Sequence, residues 1–366
     1  MGEFEVNLQA LIRQIRAEQY EIKVHALASM YEFLRDNIVP FSVFEDEFDD
    51  LFESIFHEVV YCKYKSDHDL ALAVICVLSL SYGDLIEDNV VDFIKRLIPE
   101  FENATNKNSF MFFAIAFSMA FSVDNDELCE KLFSEYIELI LNKKGRPMRL
   151  SPMSVSYIFT GLNLLMSIFS AKYATETFKS DLEAVIIQGI HSAHADIVRP
   201  AIEMAGVIYE SYLNQERNYY MQEDQSRLFA MQFLKKLEES GDRIGKKSES
   251  KSIKACLLQV QGFLQGKETF VKYKFLEQEI KFNNIQSQII INCIKDILKT
   301  GFQMHMIKNS LIQSILEYRL APLREGIINS KTIRKIQQSR EVKKDRDQDR
   351  EKKRKQKEER MEDDHF

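Results

Sequence analysis

Apolar residues recur at helical spacing along most of this chain, and segments that are apolar on every side alternate with segments that are apolar on one side. Three segments are apolar nearly all round, and each precedes an amphipathic partner: 67–83, 108–123 and 153–170. A helix of that kind is stable only between neighbouring helices. Because the unit recurs roughly every 40 to 45 residues, as in HEAT and armadillo repeats, we predict an all-α, HEAT/armadillo-like α-solenoid without a preformed catalytic cleft.

The composition fits a large helical protein. The chain has 366 residues but only 12 Gly and 6 Pro, which leaves few turn residues for a many-stranded sheet. The most membrane-like stretches, 110–123 and 155–171, are too short or too often interrupted by polar residues to span a bilayer, so we expect buried helices and no membrane association. The cysteines are odd in number and widely spaced, which predicts buried free thiols in a reducing compartment: Cys62, Cys76, Cys129, Cys256 and Cys293.

We predict three parts along the chain: a helical repeat domain over 1–240, a C-terminal helical module over 241–326, and a charged basic helix or tail over 327–366. The loop at 239–252, rich in Gly, Ser and Lys, marks the first boundary. A hinge at 319–326 with Pro322 and Gly326 marks the second. In the module, one apolar helix is predicted to end at Gly301. The next is predicted to carry an apolar stripe: Met304, Ile307, Leu311 and Ile315.

The net charge of -7 is unevenly distributed along the sequence. Residues 331–366 contain 14 Lys and Arg against 10 Asp and Glu, so this tail carries +4 and the chain before it carries -11. A basic arm on an acidic body predicts a polyanionic partner, because basic runs bind phosphate backbones through charge. A solvated disordered tail and a nuclear-import signal are alternatives on the same composition. The candidate RNA-binding residues are Lys331, Arg334, Lys335, Arg340, Lys343, Lys344, Arg346, Arg350, Lys352, Lys353, Arg354 and Lys355.

No catalytic motif was found in the sequence. It lacks a phosphate-binding glycine loop, a serine-nucleophile elbow and a metalloprotease helix, so we predict a protein that is not an enzyme, needs no cofactor and takes no small-molecule substrate. His191 and His194, close to Asp196, have the spacing to share a helix face. Without a further Cys or His nearby, we interpret them as the polar end of a repeat helix and predict no metal site.

A motif near the C-terminal end carries a family resemblance. The segment ILKTGFQMHMIKNSLIQSIL (297–316) resembles the C-terminal motif of the interferon-related developmental regulator family, with Gly301, His305 and Asn309 in matching places. Upstream, EIKVHALASMYEFL and DLALAVICVLSLSYG resemble the first two repeats of that family. The chain departs from the pattern at Ile285, where the family has Trp, and in a reduced basic loop at 246–258.

This resemblance implies a function that requires no chemistry. Members of the family are similar to factors on inactive, hibernating ribosomes, where the body covers tRNA positions near the peptidyl and exit sites and the C-terminal helix enters the mRNA channel. The resemblance therefore implies a cytoplasmic repressor of translation that binds rRNA and ribosomal proteins of both subunits. We expect a monomer off the ribosome. The alternative is a nuclear adaptor or transcriptional co-regulator that binds proteins through the solenoid, since a nuclear fraction is compatible with the sequence.

Overall fold

The protein folds into an all-α solenoid followed by a shorter C-terminal segment. The computed structural model describes residues 10–17, 19–61, 64–103, 108–142, 150–168, 179–219, 229–235, 250–267, 270–275 and 278–318. Short helical segments lie at 10–15 and 229–235. The longer helices of the solenoid are α1 (Tyr20–Asp36), α2 (Phe48–Tyr61), α3 (Lys65–Tyr82), α4 (Glu87–Leu97), α5 (Phe110–Ser122), α6 (Asp126–Leu141), α7 (Pro152–Ile168), α8 (Lys179–Ile190), α9 (Ala195–Tyr219) and α10 (Ser250–Leu264).

The helices pack in two layers. The inner layer contains α1, α3, α5, α7, α9 and α10, and each of them packs against the next. The outer layer contains α2, α4, α6 and α8, and each of these packs on the inner helix that follows it in the chain. In α5 every residue after Phe110 is buried, whereas α4 buries only one face. The inner helices α3, α5, α7 and α9 begin 45, 42 and 43 residues apart, which confirms the predicted repeat.

Polar side chains fix the register of neighbouring inner helices. Pro200 lies inside α9 and has no N–H, so the carbonyl of Asp196 lacks its helical donor. The hydroxyl of Ser156, on α7, donates to that oxygen at 2.8 Å. Further along α7, the buried amide of Asn163 donates to the carbonyl of Pro200 at 2.8 Å. These two bonds hold α7 and α9 in one alignment.

The segment after α10 contains a two-stranded β-hairpin, which departs from the helical module predicted for 241–326. Strand β1 (Val271–Phe275) pairs antiparallel with β2 (Gln278–Phe282). In both strands exposed and less exposed side chains alternate, and each ends on a buried Phe. The lysines at the exposed positions suit a helix as well as a strand, and for that reason the sequence pattern did not reveal the period of two.

In the part of the chain that the structure describes, three helices follow the hairpin: α11 (Ile285–Leu298), α12 (Phe302–Lys308) and α13 (Ser310–Ile315). Helix α11 packs against the inner helices α3, α7 and α9. One compact unit extends to Tyr318, so the predicted boundary at 240/241 does not divide two units. The predicted hinge and the charged tail, from Arg319 onward, lie outside the described residues.

The apolar stripe predicted for the last helix is wrong. The helix is interrupted at Asn309, whose backbone is extended (φ -83°, ψ 111°), so the residues after it are rotated away from the expected face. Met304, Ile307, Leu311 and Ile315 are only half-buried. The buried side chains of the two helices include those of Phe302, His305, Met306 and Ile312.

Cysteine burial follows the sequence prediction at the four described positions. Cys76, Cys129, Cys256 and Cys293 are buried free thiols, and burial raises the pKa of each, which keeps the sulfur protonated and unreactive. By length and composition alone, the helical stretch Lys65–Phe101 could cross a membrane, although 67% of its most apolar window is buried inside the protein.

Candidate functional site

Helix α11 crosses the inner layer, and its first turn is fixed to α9. The buried carboxylate of Glu210, on α9, accepts hydrogen bonds from the backbone N–H groups of Ile285 and Gln286, both at 3.1 Å. Asn284 caps the same turn by accepting from the N–H of Ser287 at 2.7 Å. A carboxylate at this position also interacts favourably with the positive end of the helix. The start of α11 is therefore tied to α9.

The other end of α11 is fixed to the first inner helix. The hydroxyl of Tyr31, on α1, donates to the carbonyl of Ile297 in the last turn of α11 at 2.6 Å. Just beyond, the backbone at Gly301 touches the end of α1 so closely that a Cβ atom there would lie 1.8 Å from the carbonyl oxygen of Arg35. Only glycine allows this approach, which explains why that residue stands at the predicted position.

His305 satisfies a second carbonyl at the end of α1. Its ring is fully buried, and Nε2–H donates to the carbonyl of Leu34 at 3.2 Å. The last carbonyls of a helix have no partner within the helix, so this bond takes the place of a hydrogen bond to water. Nδ1 is buried without a hydrogen-bond partner among the described residues. Burial lowers the pKa of His305, while the backbone carbonyls of Leu34 and Arg35 and, last, the charge of Asp36 oppose that shift.

Asn309 acts similarly at the end of α3. Its Nδ2 donates to the carbonyl of Leu80, in the last turn of α3, at 2.9 Å. Its Oδ1 accepts from the N–H groups of Leu311 and Ile312, at 2.9 and 3.2 Å, and so caps α13. The side chain is buried, and both ends of the amide are bonded.

The three motif residues thus lie where the C-terminal segment meets the ends of α1 and α3. We call this contact, made by Gly301, His305 and Asn309, the end clasp. All three residues are buried in contacts within the chain, so none of them is available to an external ligand. The clasp continues to the buried Tyr318, whose hydroxyl donates to the carbonyl of Met306. The predicted hinge begins, in sequence, one residue later, and the basic tail follows it.

An open groove runs beside α11, along the first turns of the inner helices. Its volume is about 820 Å³, and it combines aromatic rings, including Tyr157, with charged groups. Arg199 and Glu203 form an ion pair at 3.0 Å. Burial raises the pKa of Glu203 and of Asp296, partly offset in both by Arg199. Among the described residues, four carboxylates line the groove against two cations: Asp69, Asp196, Glu203 and Asp296 against Arg199 and Lys299.

The predicted histidine pair does not form part of this groove. His191 and His194 are exposed in the connection between α8 and α9, and His191 Nδ1–H donates to the carbonyl of Ile187 at 2.9 Å. In the described part of the chain, no three His, Cys, Asp or Glu side chains are close enough to hold a metal ion. The candidate RNA-binding residues between Lys331 and Lys355 lie outside the described residues, so they stay predictions.

The sequence did not predict the partners of the end clasp. Leu34 and Arg35 contribute backbone carbonyls. Every residue has such a carbonyl, so the sequence does not indicate which ones are used. The hairpin was not predicted either, although alternation in VKYKF and QEIKF was a usable signal. Exposed side chains at this hairpin include those of Phe270, Lys272 and Lys281.

Comparison with known proteins adds little. No protein-family model matches the chain, and no curated protein does. Among solved structures, an engineered protein from a structural genomics consortium is similar, with a TM-score of 0.43, 11% identity, and coverage of 70% of this chain and 97% of that one. A designed armadillo repeat protein has a TM-score of 0.41, 10% identity, and coverage of 69% and 99%. The fold assignment rests on the helix packing described above, not on these distant likenesses.

Proposed function

We propose that this protein is a non-enzymatic, ribosome-binding factor that represses translation by occupying tRNA sites and the mRNA channel of inactive ribosomes. The observation that supports the proposal best is the end clasp. It ties the chain to α1 and α3 up to Tyr318, so the segment that leads to the basic tail begins at a residue with a fixed position. A fixed origin on a rigid scaffold suits a segment that must enter a narrow channel.

Charge supports the same proposal. The chain before residue 331 carries -11 and the tail +4, so phosphate attracts the tail and repels the body. Occupying a site on the ribosome requires no catalytic group. The motif at 297–316 adds the resemblance to interferon-related developmental regulators, and with it a cytoplasmic location, contacts to both subunits and a monomer off the ribosome.

Sedimentation with ribosomes tests the proposal. The full chain is compared with a chain that ends at Gly326, which retains the whole compact unit to Tyr318. We expect the full chain to sediment with monosomes and not with polysomes, and we expect the shortened chain to bind monosomes more weakly. If neither form travels with ribosomes at low salt, the proposal fails. If both bind alike, the ribosome remains the partner but the tail is not the inserted element.

The groove beside α11 favours a second candidate, a nuclear adaptor that binds proteins. The described residues of the groove include four carboxylates and two cations next to aromatic rings. This lining suits a basic peptide, because the aliphatic stems of Lys and Arg can pack on the rings while the charged ends meet the carboxylates. An affinity purification after RNase treatment tests this candidate, with the Asp69→Asn, Asp196→Asn double variant as its control. Partners that survive RNase, include no ribosomal proteins and are lost with the double variant would favour the adaptor.

A further inference from the structure

The exposed face of the β-hairpin carries two lysines in direct opposition. In the strand register Lys272 faces Lys281, and the next pair on this face is Lys274 with Glu279. Side chains directly opposite on one face of an antiparallel pair have Cβ atoms about 4.5–5.5 Å apart, and like charges there destabilise the hairpin. Lys272 forms an ion pair with Glu279 at 2.8 Å, which compensates for one charge only. Among the described residues of this face, three lysines stand against one carboxylate.

An exposed aromatic ring lies close to both opposed lysines. The Phe270 side chain, just before β1, is 49% exposed. The ammonium nitrogens of Lys272 and Lys281 are 5.5 and 5.7 Å from the centre of its ring. Both distances are within the range of a cation–π contact. The ring and both cations therefore converge on one small site at the surface.

The opposite face of the hairpin gives this site a rigid base. Phe275 and Phe282 are buried. The ring centres of Tyr273 and Phe302 are 5.8 Å apart, and those of Phe282 and Tyr318 are 5.9 Å apart. The hairpin is thus packed on the last residue of the compact unit. A local feature that costs stability on a rigid support is expected at functional sites.

We propose that Phe270, Lys272 and Lys281 form a contact for single-stranded RNA, in which the ring stacks on an unpaired base and the two ammonium groups bind the adjoining phosphate. Stacking on an exposed ring requires a splayed base, which single strands offer and duplexes do not. The two cations alone would serve any phosphate, but Phe270 gives the site its preference for nucleotides. This inference rests on the proposed function, since it names a part of the RNA contact.

A charge reversal separates binding from folding. In K281E the residue opposite Lys272 becomes acidic, so we expect an unchanged or higher melting temperature and weaker RNA binding. F270A removes the stacking surface, and we expect binding roughly 5- to 100-fold weaker. K131E is the matched control, because Lys131 is exposed on α6 and the charge change is the same.

The experiment measures fluorescence anisotropy of a labelled single-stranded RNA of about 12 nucleotides, with the full chain and the chain that ends at Gly326. We expect K281E and F270A to lose affinity in both lengths and K131E to lose little. In the chain that ends at Gly326, which lacks the basic tail, we expect unlabelled inorganic polyphosphate to compete poorly. The inference is overturned if, in that shortened chain, F270A binds as the wild type does, K281E loses no more than K131E, or polyphosphate competes as well as RNA.

Ribosome sedimentation of the same variants distinguishes two failures. If the wild type binds ribosomes while K281E and F270A retain oligonucleotide binding, the hairpin inference fails and the proposed function stands. If both variants lose oligonucleotide binding but no form travels with ribosomes, the RNA contact stands and the ribosome proposal fails.

Discussion

The Nε2 atom of His305 lies 3.2 Å from the carbonyl oxygen of Leu34, a residue 271 positions earlier in the chain. In an ordinary solenoid each repeat contacts only its neighbours, so the two ends can unfold separately. Here the C-terminal segment returns to the first helices and bonds carbonyls at the ends of α1 and α3. We therefore infer that the clasp couples the stability of the first and last parts of the compact unit.

Acidification is expected to loosen the clasp through His305. Burial places the pKa of His305 below its ordinary value of 6.5, so below that pH the unfolded chain binds a proton more readily than the folded one. Stability is then lost as the pH falls from about 6.5 toward the folded pKa, by up to about 1.4 kcal/mol per pH unit. Denaturant unfolding between pH 7.5 and 5.5 measures this loss.

The His305→Gln variant isolates that contribution. A Gln amide can still donate toward Leu34 but does not titrate, and carboxylates elsewhere, such as Glu203 and Asp296 with raised pKa, affect both proteins equally. We expect the variant to be less stable at pH 7.5 and its pH dependence to be shallower than that of the wild type. Parallel stability curves would rule out His305 as a titrating contact.

A methyl group at Gly301 is expected to open the clasp. The Cβ atom of alanine would lie 1.8 Å from the Arg35 carbonyl oxygen and 2.7 Å from its carbonyl carbon, and backbone atoms cannot swing aside as a side chain can. Overpacking of this kind typically costs about 1–3 kcal/mol or more. Denaturant unfolding of Gly301→Ala measures the loss, with Gln303→Ala, an exposed change on α12, as control. Equal stability of the two variants would show that the segment shifts without cost.

Asn309 is expected to tolerate replacement by neither Ala nor Asp. Asn309→Ala loses the cap of α13, about 1 kcal/mol, and leaves the Leu80 carbonyl without this donor, a further ~1–3 kcal/mol. Asn309→Asp keeps the capping oxygen but sets a second acceptor against that carbonyl. We predict that Asp gains nothing over Ala, and amide hydrogen exchange at Leu311 and Ile312 shows whether the cap survives. Wild-type stability in Asn309→Asp would mean that the bond to Leu80 is unimportant.

The fold class was predictable because a helix that is buried on every side is apolar at nearly every position, and this can be read from one sequence. Helix α5 is apolar at nearly every position and can only be internal, and its recurrence gives the repeat. The hairpin was not predictable. Lys272, Lys274 and Lys281 occupy its exposed positions, and lysines at this spacing are equally compatible with the polar face of a helix. The break at Asn309 was not predicted for a similar reason, because a cap inside an apolar run looks like one polar residue on a helix.

The candidate site was predictable only in part. Gly301, His305 and Asn309 stand out only through the resemblance of their segment to a family motif. Their partners are backbone carbonyls of Leu34, Arg35 and Leu80, which any residue could supply. Tyr31 and Glu210, which hold the two ends of α11, carry no local signal, because they act on residues 266 and 75 positions away.

The affinity of the basic tail for ribosomes is expected to depend on salt concentration. If Lys352, Lys353, Arg354 and Lys355 bind phosphates, replacing all four by Gln should flatten the plot of log affinity for ribosomes against log salt concentration. The slope should fall by roughly 0.7–0.9 for each phosphate that the variant no longer binds, because every bound phosphate releases condensed counterions. Sedimentation over a series of KCl concentrations measures this slope.

The matched control replaces Glu351, Glu358 and Glu359 by Gln, which raises the tail charge from +4 to +7 and should strengthen binding at low salt. Identical slopes for wild type and the four-residue variant would exclude this basic patch from the interface, whatever the ribosome affinity of the rest of the chain.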